Sequence, residues 1–99
     1  MLEKGKFATI QVIEPFELSS LNLSCEVLSI IENKILFVRL SKPIQHTNFT
    51  STLISLQPRY KNESFDLLGS LDSIMVNGML LKENSEFAKF IFTGKMSIH

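Results

Sequence analysis

Apolar and polar residues alternate with a period of two over much of this chain, the pattern of strands that bury one face. The stretch from Leu23 to Leu40 reads as one β-hairpin. On its first arm Leu23, Cys25, Val27 and Ile31 share one parity, broken by Ser29, and the second arm, Ile35-Leu36-Phe37-Val38-Arg39-Leu40, is nearly continuous apolar. A turn at Glu32-Asn33 sets Glu26 opposite Arg39, Val27 opposite Val38 and Cys25 opposite Leu40. One opposite-charge pair and two apolar pairs then follow from a single register. A slip of one residue would turn the apolar set to the wrong face.

Phe7 to Glu14 predicts a strand before the hairpin, with Ala8, Ile10 and Val12 on one face, and Pro15 stops it. Pro43 is expected to end the hairpin's second arm, leaving Gln45-His46-Thr47-Asn48 as a polar loop. Phe49 to Gln57 predicts the next strand, with Ile54 and Leu56 on one side and Phe49 and Leu53 on the other, and Pro58 stops it. Arg59 to Glu63 is a polar crossing. Ser64 is placed to cap one helical turn over Phe65 to Leu68, which Gly69 ends.

Residues 65–82 admit two readings. Leu68, Leu71, Ile74, Met75 and Met79 fit a helical period, whereas Gly69, Ser70, Ser73, Asn77 and Gly78 are weak helix formers. Asn77-Gly78 between two apolar triplets is a strong hairpin signal and would set Val76 opposite Met79. The strand reading is preferred. Glu83 to Glu86 makes the next turn, and Phe87 to Thr93 the last strand, with Ala88, Phe90 and Phe92 on one face. Gly94 ends it, and Lys95 to His99 forms a short extra edge or a loose tail. Residues 87–92 are apolar enough to be hazardous at an open edge, so they are expected to be central or paired across a dimer, with Lys89 as gatekeeping charge.

The expected fold is therefore mostly β, a small antiparallel barrel or two-layer sandwich of six to seven strands with one short helical turn. The alternative is α+β, with a helix at about 65–76 packed on the sheet. Ninety-nine residues make a single domain over 1–99. A hydrophobic content of 44%, with eight phenylalanines, is high for a chain with so little interior. Part of that surface is expected to meet a partner, most simply a second copy in a homodimer.

Ten basic and ten acidic residues cancel, which removes the electrostatic footprint of a nucleic-acid or anionic-membrane binder. Cys25 is the one cysteine and cannot form an internal disulfide. With no signal-peptide layout at Met1 to Lys6 and no apolar run long enough for a membrane helix, a cytoplasmic location is expected.

The two arginines carry the best candidate site. Arg39 interrupts an apolar strand, and Arg59 stands beside Tyr60 and Lys61 just after Pro58. Guanidinium groups near a tyrosine and a lysine suit a phosphate or carboxylate. The plainer reading pairs Arg39 with Glu26 in solvent and leaves Arg59, Tyr60 and Lys61 on a solvated loop. His46, His99 and Cys25 lack metal-ligand spacing, so no metal is expected, and no nucleophile elbow or glycine-rich phosphate loop implies a cofactor. The paired arginines and the Asp/Asn-x-Ser-x-x-Gly motif of PilZ-like barrels are missing.

The functional expectation is a non-catalytic, self-associating interaction module, a dimer with a further protein or small-ligand partner left open. The alternative is a barrel binding a small anionic or amphipathic ligand, with Arg39, Arg59, Tyr60 and Lys61 at its mouth.

Overall fold

The architecture comes from a computed structural model, which describes residues 3–14, 21–46, 49–81 and 91–98. Six strands follow one another: β1 (Phe7–Glu14), β2 (Asn22–Ile31), β3 (Ile35–His46), β4 (Phe49–Pro58), β5 (Ile74–Leu81) and β6 (Ile91–Ile98). Each runs antiparallel to the next, and β6 returns to β1, closing a barrel. Among the described residues the one helical element is a 3-10 turn at Phe65–Gly69, between β4 and β5. The α+β alternative is thereby excluded. None of the described helices is long and apolar enough to cross a membrane.

The alternation read from the sequence is the alternation of the barrel wall. Ala8, Ile10 and Val12 of β1, Leu23, Cys25 and Val27 of β2, and Leu36, Val38 and Leu40 of β3 are all buried, as are Ile54 and Leu56 of β4, Ile74 and Val76 of β5, and Phe92 and Met96 of β6. Phe65 and Leu68 join the same core from the 3-10 turn. Barrels of eight strands are just wide enough for side chains to fill, so six strands leave less room still.

The three expected cross-strand pairs of the hairpin are present, with Cys25 opposite Leu40, Glu26 opposite Arg39 and Val27 opposite Val38. Nearer the turn it shifts by one at Leu28, to Ser29–Phe37, Ile30–Leu36 and Ile31–Ile35. This bulge corrects the expected face of Ile31, which is 47% exposed, while Leu28 and Ile30 are half-buried. Ser29, the residue that broke the parity, marks the place. Glu32 and Asn33 have φ of 54° and 59°, the paired left-handed geometry of a type I′ turn, closed by Lys34 N–H donating to the Ile31 carbonyl at 2.9 Å.

Three boundaries differ from expectation. β3 does not end at Pro43. It runs on to His46, pairing Ile44 with Ser51, Gln45 with Thr50 and His46 with Phe49, while the ladder to β4 breaks between Arg39 and Ile44. Pro43 falls in that break, where a missing N–H removes no ladder bond. Thr47 and Asn48 lie outside the described residues.

Asn77-Gly78 is not a turn but the middle of β5, with Asn77 opposite Thr93 and Gly78 opposite Phe92. Gly78 lacks the positive φ that a type I′ turn requires. A Cβ there would lie 2.2 Å from Phe92 Cζ, so the glycine leaves room for a ring. Gly94 likewise does not end the last strand. It sits within β6, where a Cβ would lie 2.8 Å from Ile10 Cγ2, and Lys95 to Ile98 continue the pairing that closes the barrel on β1. Of the expected strand Phe87 to Thr93, residues 91–93 belong to β6 and pair with β5, whereas 82–90, with Lys89, lie outside the described residues.

Candidate functional site

Two surface features stand out, a groove at one end of the barrel and an uncharged outer wall. The groove is made where the β2–β3 turn meets the chain leaving β4. Lys34 Nζ donates to the Lys61 carbonyl at 3.2 Å and to the Glu63 carbonyl, and Phe65 N–H donates to the Asn33 carbonyl at 2.8 Å. Phe65, fully buried, thus plugs the barrel beneath the turn. Ser64 stands at the N-cap as expected, but its hydroxyl donates to the Asp66 carboxylate rather than capping the backbone. The resulting groove of 350 Å³ is lined by Lys34, Ile35, Gln57, Pro58, Tyr60, Lys61 and Glu63.

The four residues singled out from sequence are thus only partly gathered. Tyr60, 51% exposed, and Lys61 line the groove. Arg59 turns to the outer wall: its N–H donates to the Met75 carbonyl at 2.9 Å and its Nη1 to Thr93 Oγ1 at 3.1 Å. Thr93 Oγ1 in turn donates to Asn77 Oδ1 at 3.2 Å, so one polar relay ties the end of β4 across β5 to β6. That relay accounts for Thr93, a polar residue only 9% exposed.

Arg39 is elsewhere. It is exposed on β3, opposite Glu26 on one side and Leu53 on the other. Six β4 positions separate Leu53 from Arg59, which puts the arginines about 20 Å apart along the strand. Among the described residues the interior is occupied by buried side chains, and these four lie outside it. Lys34 is the groove residue that the sequence reading missed. Its signal was its place right after the Glu32-Asn33 turn, which puts it at a barrel end.

The outer wall has a different chemistry. β4 and β5 are hydrogen-bonded neighbours, and neither FTSTLISLQP nor IMVNGMLL contains a charged residue. Leu53, Ser55 and Gln57 alternate with inward Ile54 and Leu56, and Met75, Asn77 and Met79 alternate with inward Ile74 and Val76. Phe37 extends the surface on β3, in one row with Ser55 and Met79. Charge appears only around it: Arg39 beside Leu53, Arg59 at one end, and Lys95 opposite Met75. The wall is thus neutral, with Leu53, Met75, Met79 and Phe37 interleaved with Ser55, Gln57 and Asn77, and its charges stand at its borders.

At the far end the β2–β3 ladder stops at Cys25 and Leu40. There Asn22, Leu23 and Ser24 face Leu40, Ser41 and Lys42 across a cleft of 190 Å³. Lys42, Pro43 and the broken register are the devices that blunt a strand edge.

Cys25 is inert in this setting. Burial pushes its thiol up to about 11, opposed by a 3.5 Å contact from Sγ to the Ala8 carbonyl. Among the described residues no three His, Cys, Asp or Glu side chains gather in a way that could hold a metal ion. No protein-family model matches the chain, and neither a curated protein nor a solved structure does so.

Proposed function

We propose that this protein is a non-catalytic interaction module that self-associates through the outer wall of β4 and β5. The observation that carries this reading is the absence of any charged residue from two adjacent strands of a barrel wall. Outward faces of antiparallel sheets are ordinarily polar, and an uncharged one of this extent favours contact with another surface. A second copy is the simplest occupant, because a two-fold axis lets one patch cover itself. A single buried free cysteine supports a reducing compartment, the cytoplasm, for such a pair.

The wall is small. Even with the flanking strands β3 and β6 counted in, six residues along β4 and four strands project to about 20 Å by 19 Å, or about 400 Å² per copy. The total of about 800 Å² for two copies lies below the range of specific, stable interfaces, so the association is weak and depends on concentration. Sedimentation velocity over a concentration series should show a monomer converting to a dimer. Met79→Lys, at a side chain 38% exposed, should hold the protein monomeric without unfolding it. A monomer at every concentration, or a dimer indifferent to Met79→Lys, would overturn the assignment.

A further inference from the structure

The end groove carries a separate inference, from observations that do not involve the β4–β5 wall. Three segments build it: the β2–β3 turn with Lys34 and Ile35, the end of β4 with Gln57 and Pro58, and the crossing with Tyr60, Lys61 and Glu63. It is held in shape before anything binds. The Lys34 ammonium bonds two carbonyls of the crossing, Glu63 N–H donates to the Tyr60 carbonyl at 3.0 Å, and Phe65 anchors the assembly from within the barrel. A preformed site loses little ordering entropy on binding.

Its chemistry has two parts. Ile35, Pro58 and the ring of Tyr60 give an apolar floor, and Tyr60 keeps half its surface in solvent. Lys34 and Lys61 bring two positive charges against the one carboxylate of Glu63, whose Oε1 is buried without a hydrogen-bond partner. The lining therefore presents a net cationic rim over an apolar floor on a chain of zero net charge. The groove is open rather than enclosed, so a chain segment laid across it suits it better than a small molecule that needs engulfing.

We propose that this groove binds a short acidic segment of a partner protein. One apolar side chain of the segment rests on Ile35, Pro58 and Tyr60, and flanking carboxylates meet Lys34 and Lys61. The exposed aromatic supplies the anchor, and the lysines supply orientation and rate of encounter.

The test is selection of random short peptides displayed on phage against the full chain, followed by fluorescence polarisation of the enriched sequences made synthetically. Expected is enrichment of peptides with Asp or Glu flanking an aromatic or aliphatic residue. Their binding should fall at least ten-fold in Tyr60→Ala and in Lys61→Glu, and should weaken steeply toward about 1 M salt, where the screening length is about 3 Å. Lys61→Glu is the cleaner charge variant, because Lys34 bonds the Lys61 backbone carbonyl and that bond survives. Circular dichroism confirms that each variant is folded. No enrichment over an unrelated protein, enrichment of basic or uncharged peptides, or affinity unchanged in both variants would overturn the proposal. Met79→Lys lies outside the groove, so its effect on dimerisation and the peptide result fail or succeed independently.

Discussion

Alanine at Gly78 would place a methyl carbon 2.2 Å from the Phe92 ring, well inside contact distance, so either the ring or the β5 backbone must move. Overpacking of this kind costs about 1–3 kcal/mol. Urea unfolding of Gly78→Ala should show that loss, and adding Phe92→Leu should recover part of it, giving a coupling above about 0.5 kcal/mol in a double-mutant cycle. Strict additivity would contradict the glycine's assigned role. From sequence the same residue reads as half of an Asn-Gly turn, because the dipeptide signal is local. The partner that explains it, Phe92, is fourteen positions away and reaches it only through the β5–β6 register. Cys25 was more legible, since its parity alone placed it inside. Its thiol is held protonated to about pH 11 in the folded chain, against an ordinary value of 9.0. The unfolded chain therefore loses its proton first as pH rises. Stability from this group is complete below about pH 9 and declines as pH climbs through 11, by up to roughly 2–3 kcal/mol. Chemical unfolding of Cys25→Ser beside the parent from pH 8 to about 11 checks this, because the serine variant lacks that decline. An identical decline in both proteins would assign it to other groups.

At the scale of elements, the 3-10 turn is short but closes the barrel. Phe65 is fully buried and its N–H is bonded to the tip of the β2–β3 hairpin, so one side chain both fills the core and fixes a loop. Phe65→Ala should cost about 3–5 kcal/mol, a large share of the total for a domain of this size. Phe65→Leu should cost less and leave a folded protein for comparison. A loss below about 1 kcal/mol for the alanine variant would mean that the turn is not a plug. The turn was readable from Ser64, Gly69 and the apolar run between them, and β1 and β4 from their alternation. The bulge at Leu28 was readable only as a flaw, a serine on the apolar parity. The run of β3 through Pro43 was not readable, because proline forbids a ladder bond and the sequence does not say that the ladder is already broken there.

For the molecule as a whole, the barrel leaves its described interior to side chains and puts its remaining chemistry outside. This divides the residues first gathered as one mouth: Tyr60 and Lys61 in the end groove, Arg59 on the outer wall with Thr93, and Arg39 about 20 Å away along the strand direction. Chain order sets Arg59, Tyr60 and Lys61 side by side, but β4 ends at Pro58, and beyond it Arg59 reaches across β5 to Thr93 while Tyr60 and Lys61 line the groove at the barrel end. The uncharged wall was present in the sequence as the charge-free run from Pro43 to Pro58 and the second from Ser73 to Leu81. Only the β4–β5 pairing makes the two runs one surface.

Native mass spectrometry of the freshly purified chain, at the highest concentration that sprays cleanly and again after mild denaturation, is the decisive measurement of self-association. Self-association predicts a species of twice the 11.3 kDa chain mass with no additional small mass, dissociating to bare monomer on dilution. A monomer at every concentration would contradict self-association, and a species carrying a discrete extra mass released only on unfolding would point instead to a bound ligand.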